Sequence, residues 1–85
     1  MNITFLYFAS LREAVGRASE SVEVEESVAT IGGLRDWLVA RGEPYASAFA
    51  NAKRVRCSFN QVLARYDTPL EEGAEVAFFP PVTGG

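Results

Sequence analysis

The residues best suited to chemistry stand together at the C-terminal end: Pro80-Pro81-Val82-Thr83-Gly84-Gly85. Pro80 and Pro81 have no N–H, so they end sheet pairing and hold the backbone extended. Gly84 and Gly85 have no Cβ, so the backbone there can thread a channel too narrow for any other residue. Six extended residues reach at most about 20 Å, at roughly 3.3–3.6 Å each. The group at the end of this wire is the α-carboxylate of Gly85. ATP can activate such a carboxylate as an acyl-adenylate, which a nucleophile then attacks. That chemistry needs a partner enzyme, because the chain has no nucleotide-binding motif. Gly32-Gly33 lacks the following Lys-Ser/Thr of a phosphate loop and reads as a close approach of helix to sheet. The alternative for Gly84-Gly85 is an idle terminus.

Side-chain catalysis finds little support. Histidine is absent, which removes the commonest general base and the commonest metal ligand together. Cys57 is the one cysteine, so a thiolate would lack an imidazole partner and a zinc site would lack its usual ligands. No disulfide can form within the chain, which fits a reducing, cytoplasmic setting. The net charge of −3, with arginines interleaved among glutamates, argues against nucleic acid. No apolar run approaches the roughly 20 residues of a membrane span, and Met1 leads into a strand pattern with no basic leader before it. No metal and no bound cofactor are expected.

The elements that must position the tail follow from periodicity. Asn2 to Phe8 alternates and is rich in β-branched and aromatic residues, with bulky apolar groups on both faces; it reads as a central strand. Ser10 and Glu13 form a capping-box pattern for a short helical turn that ends at Gly16. Ser21 to Glu25 reads as a second strand, with Val22 and Val24 inward and the Glu20–Glu26 cluster on a solvated edge. Thr30 caps the main helix, which runs to about Arg41 with Ile31, Leu34 and Leu38 on one face. Tyr45 to Ala50 reads as a short turn packed by Phe49. Arg54 to Phe59 and Val62 to Ala64 flank an Asn60-Gln61 turn, and Val76 to Phe79 is the last strand. This order predicts an α+β fold, a ubiquitin-like β-grasp with a mixed sheet packed on one main helix. The first and last strands should lie side by side and parallel. Residues 1–79 would form the domain and residues 80–85 a flexible Gly-Gly tail.

The stretch Asn60-Gln61-Val62-Leu63, then Asp67, Pro69-Leu70, Gly73 and Glu75 through Gly85, closely resembles the small subunit of molybdopterin synthase. Phe8-Ala9, Leu11-Arg12-Glu13 and Val15-Gly16 look like the first strand and turn of the same family, while Ser19 to Val55 matches in pattern only. The resemblance implies a sulfur-carrier cycle. A ubiquitin-activating-type adenylating enzyme would use ATP and magnesium to adenylate Gly85, and a sulfur donor protein would replace AMP to leave a thiocarboxylate. The loaded tail would enter the large synthase subunit, within a heterotetramer of two small and two large subunits. There its sulfur would pass to cyclic pyranopterin monophosphate and build the dithiolene of molybdopterin.

The resemblance also places Phe8, Leu63 and Phe79 in an apolar docking patch, with Pro80, Pro81, Val82 and Thr83 inserted into the partner. Independently, Phe8 and Phe79 fall on the outward faces of adjacent strands, and an exposed apolar cluster marks a partner surface. The alternative is a loop that covers them. Arg12 stands near the family's interface, or is an ordinary solvated arginine. Cys57 reads as a small core residue and Trp37 as helix packing. Other functions compete: a ubiquitin-like modifier that forms isopeptide bonds through Gly85, a sulfur carrier for another pathway, and a plain interaction module with an idle tail.

Overall fold

A computed structural model of the chain describes residues 1–51 and 54–80. Strand β1 (Asn2–Tyr7) runs into helix α1 (Ala9–Val15), which leads to β2 (Ser19–Glu23). Helices α2 (Ile31–Ala40) and α3 (Tyr45–Asn51) follow, then β3 (Arg56–Phe59), β4 (Val62–Ala64) and β5 (Glu75–Phe79). The strands form one sheet in the order β2-β1-β5-β3-β4. β1 and β5 are the parallel pair, with Phe5 opposite Val76 and Tyr7 opposite Phe78. Every other pairing is antiparallel. This is the mixed β-grasp sheet that the element order predicts.

Alternation along the strands decides which face is buried. Ile3, Phe5, Tyr7, Cys57, Val76 and Phe78 share the face under the helices and are at most 1% exposed. Ile31, Leu34 and Leu38 of α2 close over them from one helical stripe, as their spacing predicts. Thr30 caps α2, its hydroxyl accepting the Gly33 N–H at 3.1 Å. Asn60 and Gln61 both adopt positive φ, 49° and 71°, the mirror-image turn that matches the twist of a tight hairpin.

Several expectations need correction. The capping box at Ser10 does not form: α1 begins at Ala9, and its N-cap is Phe8, whose side chain can accept nothing. The strand pairing holds Phe8 extended, so the helix must start immediately after it. The end at Gly16, with φ 86°, is as expected. Tyr45–Asn51 is a helix and not a turn, because Tyr45, Ala48 and Phe49 recur at helical spacing and bury against the core. The sheet thus carries two short helices beside the main one. β2 is shifted two residues toward the N-terminus, so Val24 lies just past its end, buried. Gly32 does make a close approach, though to the loop after β4: its N–H donates to the Tyr66 carbonyl at 2.8 Å.

Candidate functional site

Among the described residues no helix packs on the second face of the sheet. Its middle row runs Ser19, Leu6, Ala77, Ser58, Leu63 across all five strands, as the registers require. Phe79 stands two residues beyond Ala77 on β5, opposite Arg56 of β3. Phe8 continues the alternation of β1 onto this same face, its backbone extended and its N–H donating to the Phe78 carbonyl at 3.2 Å. Leu6 and Leu63 are three strand spacings apart, about 14 Å at roughly 4.8 Å per step. Phe8 is 47% exposed and Leu63 62% exposed, and Phe79 is partly buried. The three apolar residues named for docking therefore share one open face, with no described loop covering Phe8 or Leu63.

β5 is the middle strand and is paired on both sides, to β1 through Phe78 and to β3 through Phe79. The chain therefore leaves the sheet at a fixed point, beside Phe79 and across from Arg56. Pro80 is the last described residue; Pro81, Val82, Thr83, Gly84 and Gly85 lie outside the described residues. Arg12 is exposed on α1, one turn after Phe8, and its N–H donates to the Phe8 carbonyl at 3.3 Å. Cys57 is in the core, 1% exposed, with its thiol turned to the Ala64 carbonyl at 3.4 Å. Burial pushes that thiol's pKa up, although Arg35 and Arg56 pull the other way. Such a thiol is a poor nucleophile.

The buried carboxylate of Glu20 was missed in the sequence, where it was assigned to a solvated edge. Its side chain is 7% exposed. It accepts hydroxyl hydrogen bonds from Tyr45 at 2.7 Å and Tyr7 at 2.9 Å. Arg41 lies 3.4 Å away and Arg17 3.5 Å away. Burial alone would raise the carboxyl pKa, but the Tyr45 and Tyr7 hydroxyls, Arg41 and Arg17 together hold it below the usual range. Glu20 is in phase with Val22 on β2, and that phase was the available signal. The knot ties β1, β2, α2 and α3 at the end of the sheet from which Phe8 emerges.

Comparison with known proteins places this architecture. The model of the ThiS family matches residues 5–85. The "Molybdopterin synthase sulfur carrier subunit" of Escherichia coli is 42% identical over 83 residues, covering 98% of this chain and 99% of that one. The protein of the same name from Haemophilus influenzae is 35% identical over the same shares. Among solved structures, small archaeal modifier protein 1 of Haloferax volcanii superposes with a TM-score of 0.77 at 25% identity, covering 95% of this chain and 98% of that one. A Helicobacter pylori structure, of a complex between subunits 1 and 2 of molybdopterin-converting factor, shares the fold at TM-score 0.66 and 20% identity, covering both chains fully. From the β-grasp sheet with its parallel β1–β5 pair, and from matches that run through the terminal glycines, the chain belongs to the ThiS family, alongside the molybdopterin synthase sulfur carrier subunits.

Proposed function

We propose that this chain carries sulfur for molybdopterin synthesis on the C-terminal carboxylate of Gly85. In the first step a Gly85 carboxylate oxygen attacks the α-phosphorus of ATP and pyrophosphate leaves. ATP and magnesium belong to the adenylating partner. The terminal sulfur of a donor protein's persulfide then adds to the acyl carbon and the C–O bond to AMP breaks. A second thiol cleaves the S–S bond of the resulting acyl persulfide, forming a disulfide with the donor sulfur and leaving a thiocarboxylate on Gly85. Inside the large subunit that sulfur passes to cyclic pyranopterin monophosphate. A dithiolene holds two sulfurs, so each product molecule requires two loadings. Gly84 and Gly85, having no Cβ, suit a narrow site, and Pro80 and Pro81, having no N–H, cannot continue the sheet ladder.

The observation that carries this reading is the placement of the tail's root. β5 is held by β1 as far as Phe78 and by β3 as far as Phe79, so the wire starts from a fixed point on the open apolar face. A partner seated on Leu6, Phe8, Leu63 and Phe79 meets the root of the tail at one fixed place. Placement of that kind replaces a search by a loose terminus. The relatives that match the whole length bear the corresponding name, which supports the assignment of the pathway.

The likeness to an archaeal modifier protein favours a second reading, isopeptide bond formation through Gly85. Mass spectrometry of the chain coexpressed with its adenylating enzyme and sulfur donor separates the two. The carrier gains one sulfur in exchange for one oxygen at Gly85, a rise of about 16 Da. Lysine-linked conjugates without that exchange overturn the carrier reading, and an unchanged terminus overturns both.

A further inference from the structure

A groove of about 430 Å³ opens on the helical side of the molecule, between α2, α3 and the chain entering β3. Val39, Phe49 and Val55 supply apolar lining. Arg35, Arg54 and Tyr66 line it as well. Among the described residues that line it none is acidic, although the whole chain has eleven acidic residues against eight basic ones. The groove is thus locally positive on a protein whose net charge is −3. Its volume lies within the roughly 300–1,000 Å³ usual for small-molecule sites, and an apolar lining with a few placed polar groups is their usual make-up.

The two guanidinium groups are held differently. Arg35 lies over the Tyr66 ring, 4.8 Å from its centroid, and Tyr66 is itself fixed by donating its hydroxyl to the Val55 carbonyl. Stacking orients the planar fork and leaves its N–H edge to meet an anion. The neighbouring Asp36 is 3.6 Å from Arg35 and is well exposed, so this pair is weak. Arg54 has no carboxylate within ion-pair distance among the described residues. It also adopts φ 52°, a left-handed backbone that a non-glycine residue takes up at a cost. Strain of that kind gathers where structure serves binding.

We infer that this groove binds a small organic anion: a flat apolar body on Val39, Phe49 and Val55, with its carboxylate, sulfonate or phosphate between Arg35 and Arg54. The groove opens among the helices, whereas Leu6, Leu63 and Phe79 lie on the opposite face of the sheet. A ligand held there leaves the docking face free.

The test uses the full chain with two probes matched in shape, 2-naphthalenesulfonate and neutral 2-naphthol, followed by amide chemical-shift titration. The sulfonate saturates, binds about tenfold tighter than the naphthol, and shifts the amides of Arg35, Val39, Phe49, Val55 and Tyr66. A tenfold difference corresponds to about 1.4 kcal/mol, the size of one charge-assisted hydrogen bond. Arg35→Ala and Arg54→Ala each remove that preference and leave naphthol binding unchanged; both sites are solvent-accessible, so the fold survives the change. Equal affinity for the two probes, indifference to both substitutions, or shifts centred on Phe8, Leu63 and Phe79 each overturn the inference. So does binding of an acidic peptide to the groove in the absence of any sulfonate binding.

Discussion

The Tyr45 hydroxyl donates to the Glu20 carboxylate at 2.7 Å, which fastens the first turn of α3 to the inward face of β2. Tyr7 adds a second bond from the central strand. Arg41 completes the knot by lying over the Tyr45 ring, 4.7 Å from its centroid, while pairing with Glu20. Three elements far apart in sequence thus meet on one carboxylate.

Removing that carboxylate leaves two tyrosine hydroxyls and a guanidinium without their acceptor. Glu20→Ala should destabilise the domain by about 2–3 kcal/mol. In a domain of this size that lowers Tm by roughly 10–20 °C, read from thermal denaturation. A loss within 0.5 kcal/mol would mean that the knot contributes nothing.

The same group gives an acid limb. Glu20 has its folded-state pKa below the ordinary value, so its contribution is complete above the unfolded pKa, about 4.3, and is lost as pH falls through the folded value. The stability gap between the native chain and Glu20→Gln should be widest above about pH 5 and should shrink below about pH 4. Urea denaturation at a series of pH values measures it. A gap independent of pH would sink the argument.

Gly32 and Gly33 are adjacent in α2 yet should respond oppositely to alanine. A Cβ at Gly33 meets Thr30 Oγ1 and Val28 Cγ1 at 3.6 Å, ordinary contact. Gly33→Ala should therefore gain about 0.5–1 kcal/mol from reduced chain entropy. A Cβ at Gly32 meets the Tyr66 carbonyl oxygen at 3.2 Å. That oxygen accepts the Gly32 N–H and cannot retreat without losing the bond, so Gly32→Ala should destabilise. Melting temperatures of the two variants check the contrast.

Leu63→Asp and Phe79→Asp place a charge on the open face. Each should weaken copurification with the large synthase subunit at least 30-fold, a loss of about 2 kcal/mol. Leu63→Asp should leave the melting temperature nearly unchanged, since the side chain is 62% exposed on an edge strand. Undiminished pull-down by a folded Leu63→Asp chain would remove Leu63 from the proposed docking surface.

Much of this molecule is legible in its sequence because the relevant physics is local. Alternation sets the faces of β1, β3 and β5, helical spacing sets the buried stripe of α2, and Asn60-Gln61 marks the hairpin. The terminal Pro-Pro and Gly-Gly state their chemistry without any fold at all, since missing N–H groups and missing Cβ atoms act wherever they stand. What only the tertiary structure decided depends on contacts between distant residues. Ser10 has the right local pattern for a cap, yet pairing of Phe8 against β5 starts α1 two residues earlier. Glu20 looks solvated among its acidic neighbours, and becomes an interior anion only because Tyr7, Tyr45 and Arg41 converge on it. Phe8, Leu63 and Phe79 are ordinary apolar residues in the chain; the sheet order β1-β5-β3-β4 alone sets them on one uncovered face around the root of the tail.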